Sequence, residues 1–134
     1  MRALLTAYIG ALVLFLAIDM VWISTVVAPL YHATMPEALA EQVRIAPAIL
    51  FYLVFVAGLV YFAVPPALAQ GRERIAALNG GLYGLSTYAT YALTNFAVFK
   101  SWTLAITASD IVYGALASAL VGYSAYRIAI AFDR

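Results

Sequence analysis

Two carboxylates stand where the surrounding residues leave them little water. Asp19 sits inside "LFLAIDMVWIS" (Leu14 to Ser24), and Asp110 opens "DIVYG" (Asp110 to Gly114). The two settings echo one another. "DMVW" and "DIVY" both read acid, apolar, Val, aromatic, so a helix would place Trp22 one turn from Asp19 and Tyr113 one turn from Asp110. A carboxyl in an apolar segment is costly unless it meets a proton, a cation or a hydrogen-bond donor, which makes it a candidate site. Two such groups close together would share a proton or hold a cation between them, and could also divide the roles of general acid and base.

Further polar residues fall in step with the acids. Gly80, Gly84, Thr87, Tyr91 and Thr94 are spaced by four, three, four and three, one stripe of a helix, with Tyr88 and Asn95 beside it. Small residues in its first half suit close helix approach. The hydroxyls and the Asn95 amide occupy its second half, and Tyr52 enters from another segment at comparable depth. The expected site is therefore a ligand-binding or proton-exchanging pocket of Asp19, Trp22, Tyr52, Thr87, Tyr88, Tyr91, Thr94, Asn95, Asp110 and Tyr113. No cofactor signature accompanies it. The lone His32 and the absence of cysteine exclude a multi-histidine or thiolate metal centre within one chain.

Composition identifies the medium that holds these residues. Of the 134 residues, 66% are apolar and 10% charged, too apolar a balance for a small soluble domain to bury. A net charge of +1 points to no nucleic-acid partner. Charges punctuate four apolar segments, about residues 3–28, 47–69, 75–98 and 102–126. Each exceeds the roughly 20 residues that cross a hydrocarbon core as helix, and helix is the form that satisfies its own backbone there. The expected fold is all-α: a single transmembrane domain over 1–134, an integral-membrane four-helix bundle.

Local residues set its boundaries. Pro47 suits a first helical turn, and Pro65 and Pro66 should kink or end the second span. "QGRER" (Gln70 to Arg74) and "FKSW" (Phe99 to Trp102) make tight turns between antiparallel neighbours. In the loop from Pro29 to Ala46, Thr34 and Glu37 have capping-box spacing, which predicts a short interfacial helix between helices 1 and 2. Arg2, Arg72, Arg74, Arg127 and Arg134 fall at one end, against Arg44 and Lys100 at the other, an N-in/C-in orientation. An uncleaved first span fits better than a signal peptide, because its apolar run is long. With that topology, Asp19 and Asp110 each lie roughly 12–13 Å in from the outer ends of their helices, and the pocket opens outward. Tyr31, Trp102 and Tyr126 are expected as interfacial belt residues, and Lys100 as a side chain snorkelling to the surface.

Taken together, "DMVW", "LFYLVFVAGLVYFAV", "YGLSTYATYALTN" followed by "FKSW", and "DIVYG" resemble the bacterial integral-membrane family known as domain of unknown function 2177, over nearly the whole chain. The resemblance implies four transmembrane helices in the bacterial inner membrane. The genes among which members lie suggest a task in lipid modification or in light and oxidative stress. It places the family's polar marks at Asp19, Trp22, Thr94, Asn95, Lys100, Asp110 and Gly114. Two positions depart from it: Ala92 stands where the family has an Asp, and Tyr113 where Trp is more typical. The missing third acid counts against a three-carboxylate mechanism.

Three functions are compatible with these residues. The first is a pocket binding or moving a small cationic or amphiphilic ligand; transport by so few helices would call for a homodimer. The second is a membrane-embedded enzyme acting on membrane lipids, and the third an accessory protein whose acids only join helices.

Overall fold

The computed structural model describes residues 1–132, so Arg134, counted above at the arginine-rich end, lies outside the described residues. The chain is all helical, with four long rods and no strand among the described residues. The first rod is α1 (Arg2–Trp22), a π-helical turn (Ile23–Val27) and α2 (Ala28–Thr34) in unbroken succession. The others are α3 (Ile45–Gln70), α4 (Glu73–Val98) and α5 (Leu104–Phe132). Three of the rods, the first together with α3 and α5, are long and apolar enough to cross a membrane. Helix α4 matches α3 in length, 26 residues, but its glycines, hydroxyls and Asn79 and Asn95 make it less apolar.

The first rod runs past the expected end near Ala28. Pro29 cannot donate to the carbonyl four residues back and would crowd it. The π turn just before it takes up that mismatch, with Ala28 N–H bonded to Ile23 O. The Ser24 and Thr25 hydroxyls both donate to Val21 O, at 3.2 and 2.6 Å. Beyond Thr34 only one 3-10 turn forms, Pro36–Ala38, where the sequence predicts a short interfacial helix. The capping box does not close, because Thr34 belongs to the end of α2 and its hydroxyl donates back to Leu30 O at 2.7 Å.

Helix α3 also runs through its expected stop. Pro65 and Pro66 lie inside it. Pro66 leaves Phe62 O without its usual N–H, and the Asn79 amide of α4 donates there instead, at 3.1 Å. The helix ends at Gly71, whose φ of 62° gives the left-handed cap. Gly71 N–H reaches Leu68 O and Arg72 N–H reaches Ala67 O, the paired bonds of a Schellman motif. The turn from α4 to α5 is fixed by Thr103, whose hydroxyl accepts from Ile106 N–H at 3.2 Å as an N-cap.

Around the bundle the neighbours run α1, α3, α4, α5 and back to α1, and α4 with α5 form the most extensive pair. Their seam is made of glycine. A Cβ on Gly84 would strike Gly114 O and Ser118, and one on Gly122 would strike Ala76 O. Lipid supplies no hydrophobic drive between helices, so such close packing is what holds them together. The core between α1 and α3 is built on Phe15, stacked at 4.8 Å on Phe55, with Ala7 and Ala11 fully buried below it. Tyr126 is buried against Ala67 and Ala76, and Trp102 against Met35 and Ile106. Neither is the exposed belt residue expected, since each fills a gap between helices.

Candidate functional site

Above the glycine seam the helices part around a cavity of about 460 Å³. From α1 it takes Asp19 and Trp22, from α4 Thr87, Tyr88 and Tyr91, and from α5 Asp110. Both acids are buried, Asp19 at 4% exposure and Asp110 at 5%. They reach the same space because α1 and α5 run antiparallel and pack together, although Asp110 lies six residues into α5 and Asp19 three residues before the end of α1.

The two carboxylates are treated differently. Tyr52 donates its hydroxyl to Asp19 Oδ2 at 2.5 Å, and Tyr113 donates to Oδ1 at 2.8 Å. Bonds of this length are well formed, and together they tie α3 and α5 to α1. Trp22 fixes Tyr113 by stacking on it, 4.3 Å between centroids and 3° from parallel. Tyr88 meets the other side of Tyr113 edge-on at 5.8 Å. Its ring lies against Gly114, where a Cβ would collide with it. Trp22, Tyr52, Tyr88 and Tyr113 thus form one interlocked group around Asp19; Tyr113, which the "DIVY" spacing pairs with Asp110, gives its hydroxyl to Asp19 instead.

Asp110 has no such clamp. Among the described residues no side chain donates to it in ordinary hydrogen-bond geometry. The Tyr31 hydroxyl stands beside it and beside the Tyr91 hydroxyl, and Tyr91 in turn reaches toward Asn95. No cation among the described residues pairs with either acid. Among the described residues the single ion pair is Arg127 with Glu73, 3.3 Å apart and largely exposed, and Lys100 is exposed. The remaining wall is apolar or aromatic: Ile23, Val27, Phe51 and Phe55.

Of the residues expected here, Asp19, Trp22, Tyr52, Thr87, Tyr88, Tyr91, Asp110 and Tyr113 come together. Thr87 presents its carbon side, because its hydroxyl donates to Tyr83 O at 2.8 Å on its own helix. Thr94 does not join the wall; it is exposed, one turn past the point where Tyr91 packs on Trp102. Asn95 touches the site only through Tyr91.

Tyr31, Ile23, Val27, Phe51 and Phe55 were missed from the sequence. A signal existed for the first three. Asp19, Ile23, Val27 and Tyr31 step by four, and each such step drifts roughly 40° around an α-helix. The wider π turn unwinds part of that drift and keeps all four toward the cavity. Nothing marks Phe51 and Phe55, because α3 is apolar on every side.

No curated protein and no solved structure matches the chain. One family does, over residues 4–127. The match runs from the first turn of α1 to near the end of α5 and includes every residue of the cavity wall, so the protein belongs to the family described as Predicted membrane protein (DUF2177).

Proposed function

We propose that this protein crosses the bacterial inner membrane four times and holds a small, lipophilic cation in the cavity between its helices, with Asp110 as the counter-ion. The observation that carries this reading is an acid 5% exposed, facing a cavity, with the Tyr31 hydroxyl beside it and no cation among the described residues near it. A buried carboxyl in that position is stabilised by a proton or by a cation. The surroundings favour a cation with apolar substituents. The volume of about 460 Å³ falls within the range of small-molecule sites, and the faces of Trp22, Tyr88, Phe51 and Phe55 attract positive charge. Asp19 lines the same cavity, its carboxyl held in place by two phenols.

The orientation is set by arginine. Arg72, Arg74 and Arg127 gather at one end with Glu73, and Arg2 starts the helix that arrives there. The arginines support a cytoplasmic position for this end, and with it a cavity in the outer half of the membrane. Helix α4 crosses with the rest. Its hydroxyls are compatible with lipid because Thr87 and Thr90 donate to carbonyls of their own helix.

Titration of the purified protein with tetraphenylphosphonium tests the reading. The expected result is saturable binding accompanied by proton release, weakened about tenfold or more in Asp110→Asn, with the melting temperature of that variant unchanged. Absence of binding, or binding indifferent to Asp110, contradicts it.

A further inference from the structure

The cavity is closed in one direction and open in another. Toward the loops, Trp102 packs edge-on against both Tyr31 and Tyr91, at 5.5 and 5.7 Å. Met35, Ile106 and Leu30 close in around that cluster. The indole N–H donates to the Thr107 hydroxyl at 3.1 Å, so the ring is fixed in place between α2 and α4. Water at the end of the bundle meets this roof before it meets Asp110.

The side between α3 and α4 has no such closure. These helices touch through Phe62–Tyr83, Phe55–Tyr83 and Phe55–Tyr88. Beyond Phe55, toward its N-terminus, α3 has no buried residue. Two wall residues are exposed, Phe51 at 43% on α3 and Tyr91 at 51% on α4. Phe51 lies about 9 Å along α3 from Ile45, and Tyr91 about 10 Å from the outer end of α4. An opening at that depth faces acyl chains.

We infer that the cavity is loaded sideways, through the cleft between the outer halves of α3 and α4, by a membrane-borne amphiphile with an amine or quaternary-ammonium head. The head meets Asp110, and the hydrocarbon chain lies past Phe51 and Tyr91 into the bilayer. This rests on the cation reading above and adds the route and the tail. Moving a chain from lipid into an apolar cleft changes its surroundings little. Selection is therefore made by the head, where an uncharged amphiphile leaves Asp110 without a counter-ion.

The test uses the full chain in lipid nanodiscs. Replacing one of the two tryptophans, Trp102→Phe, leaves Trp22, which lines the cavity, as the sole tryptophan to be excited selectively. The probes are dodecyltrimethylammonium brominated near its head, a similarly brominated twelve-carbon alcohol, and tetraphenylphosphonium. The ammonium is expected to quench Trp22 saturably and the alcohol, which enters the same lipid, to quench it weakly. Asp110→Asn should shift the ammonium curve by about tenfold. Wild-type protein, with both tryptophans reporting, must give the same order of ammonium over alcohol. If ammonium and alcohol quench alike while tetraphenylphosphonium still binds, lateral loading is wrong and the cation site stands. If neither cation binds, both readings fall.

Discussion

Between Ala76 and Gly84, helix α4 lies against α5 backbone to backbone, whereas from Thr87 to Tyr91 the same helix borders a cavity. In the first region Gly80, Gly84, Gly114 and Gly122 leave no room for a Cβ. In the second, Tyr88, Tyr91 and Tyr113 stand between the helices as rings. The same pair of helices is thus joined by backbone contact along one stretch and by aromatic rings along the other. In lipid, where helices gain little from hiding apolar surface from one another, such differences in side-chain size decide where a bundle is dense and where it is hollow. The dense end carries the fold and allows the hollow end to keep two acids at a common level.

The largest expected effect lies in the dense region. Gly84→Leu places carbon onto Gly114 O and Ser118, both backbone-anchored. It should cost about 3 kcal/mol, as overpacking does, and would be read as a lowered unfolding midpoint in denaturing detergent. An unchanged midpoint would mean that the seam is looser than described.

A smaller effect is expected at the hollow end. Tyr113→Phe keeps the ring on Trp22 but removes the donor to Asp19 Oδ1. It should cost about 1 kcal/mol, between the mean and the upper values for intramembrane hydrogen bonds, and leave the helix content intact. A loss as large as that at Gly84 would make the Asp19 cluster, and not the glycine seam, the main joint of the bundle.

The smallest effect belongs to a repair. Asn79→Ala frees Phe62 O and should cost about 0.6 kcal/mol. In a Pro66→Ala background, where a backbone N–H is restored to that carbonyl, the same change should cost nothing measurable. Equal costs in both backgrounds would show that the Asn79 bond does not compensate for the proline.

What the sequence reveals depends on contrast. Asp19 and Asp110 stand out because everything near them is apolar. Counting residues to the span ends, however, gives equal depths that the observed helix bounds do not, because the first rod runs on to Thr34 and α5 begins only at Leu104. The glycine-to-tyrosine change along α4 is likewise readable, since its spacing of three and four gives a face. Phe51 and Phe55 could not be assigned, because α3 is apolar on every side and offers no periodicity to choose one. Tyr31 was placed at the interface because Pro29 reads as a stop. The π turn that carries the helix past it depends on backbone adjustment, which residue types signal weakly. For the same reason Pro65 and Pro66 read as an end: the rescuing donor, Asn79, lies on another helix.

Asp110 is the open acid of the pair and Asp19 the clamped one. Labelling with dicyclohexylcarbodiimide, a membrane-soluble reagent for protonated carboxyls, tests it in native membranes, with peptide mapping by mass spectrometry. The adduct should appear on Asp110, be absent from Asp19, and diminish when tetraphenylphosphonium is present. Labelling of Asp19 in preference to Asp110, or labelling that the cation leaves untouched, would contradict the account.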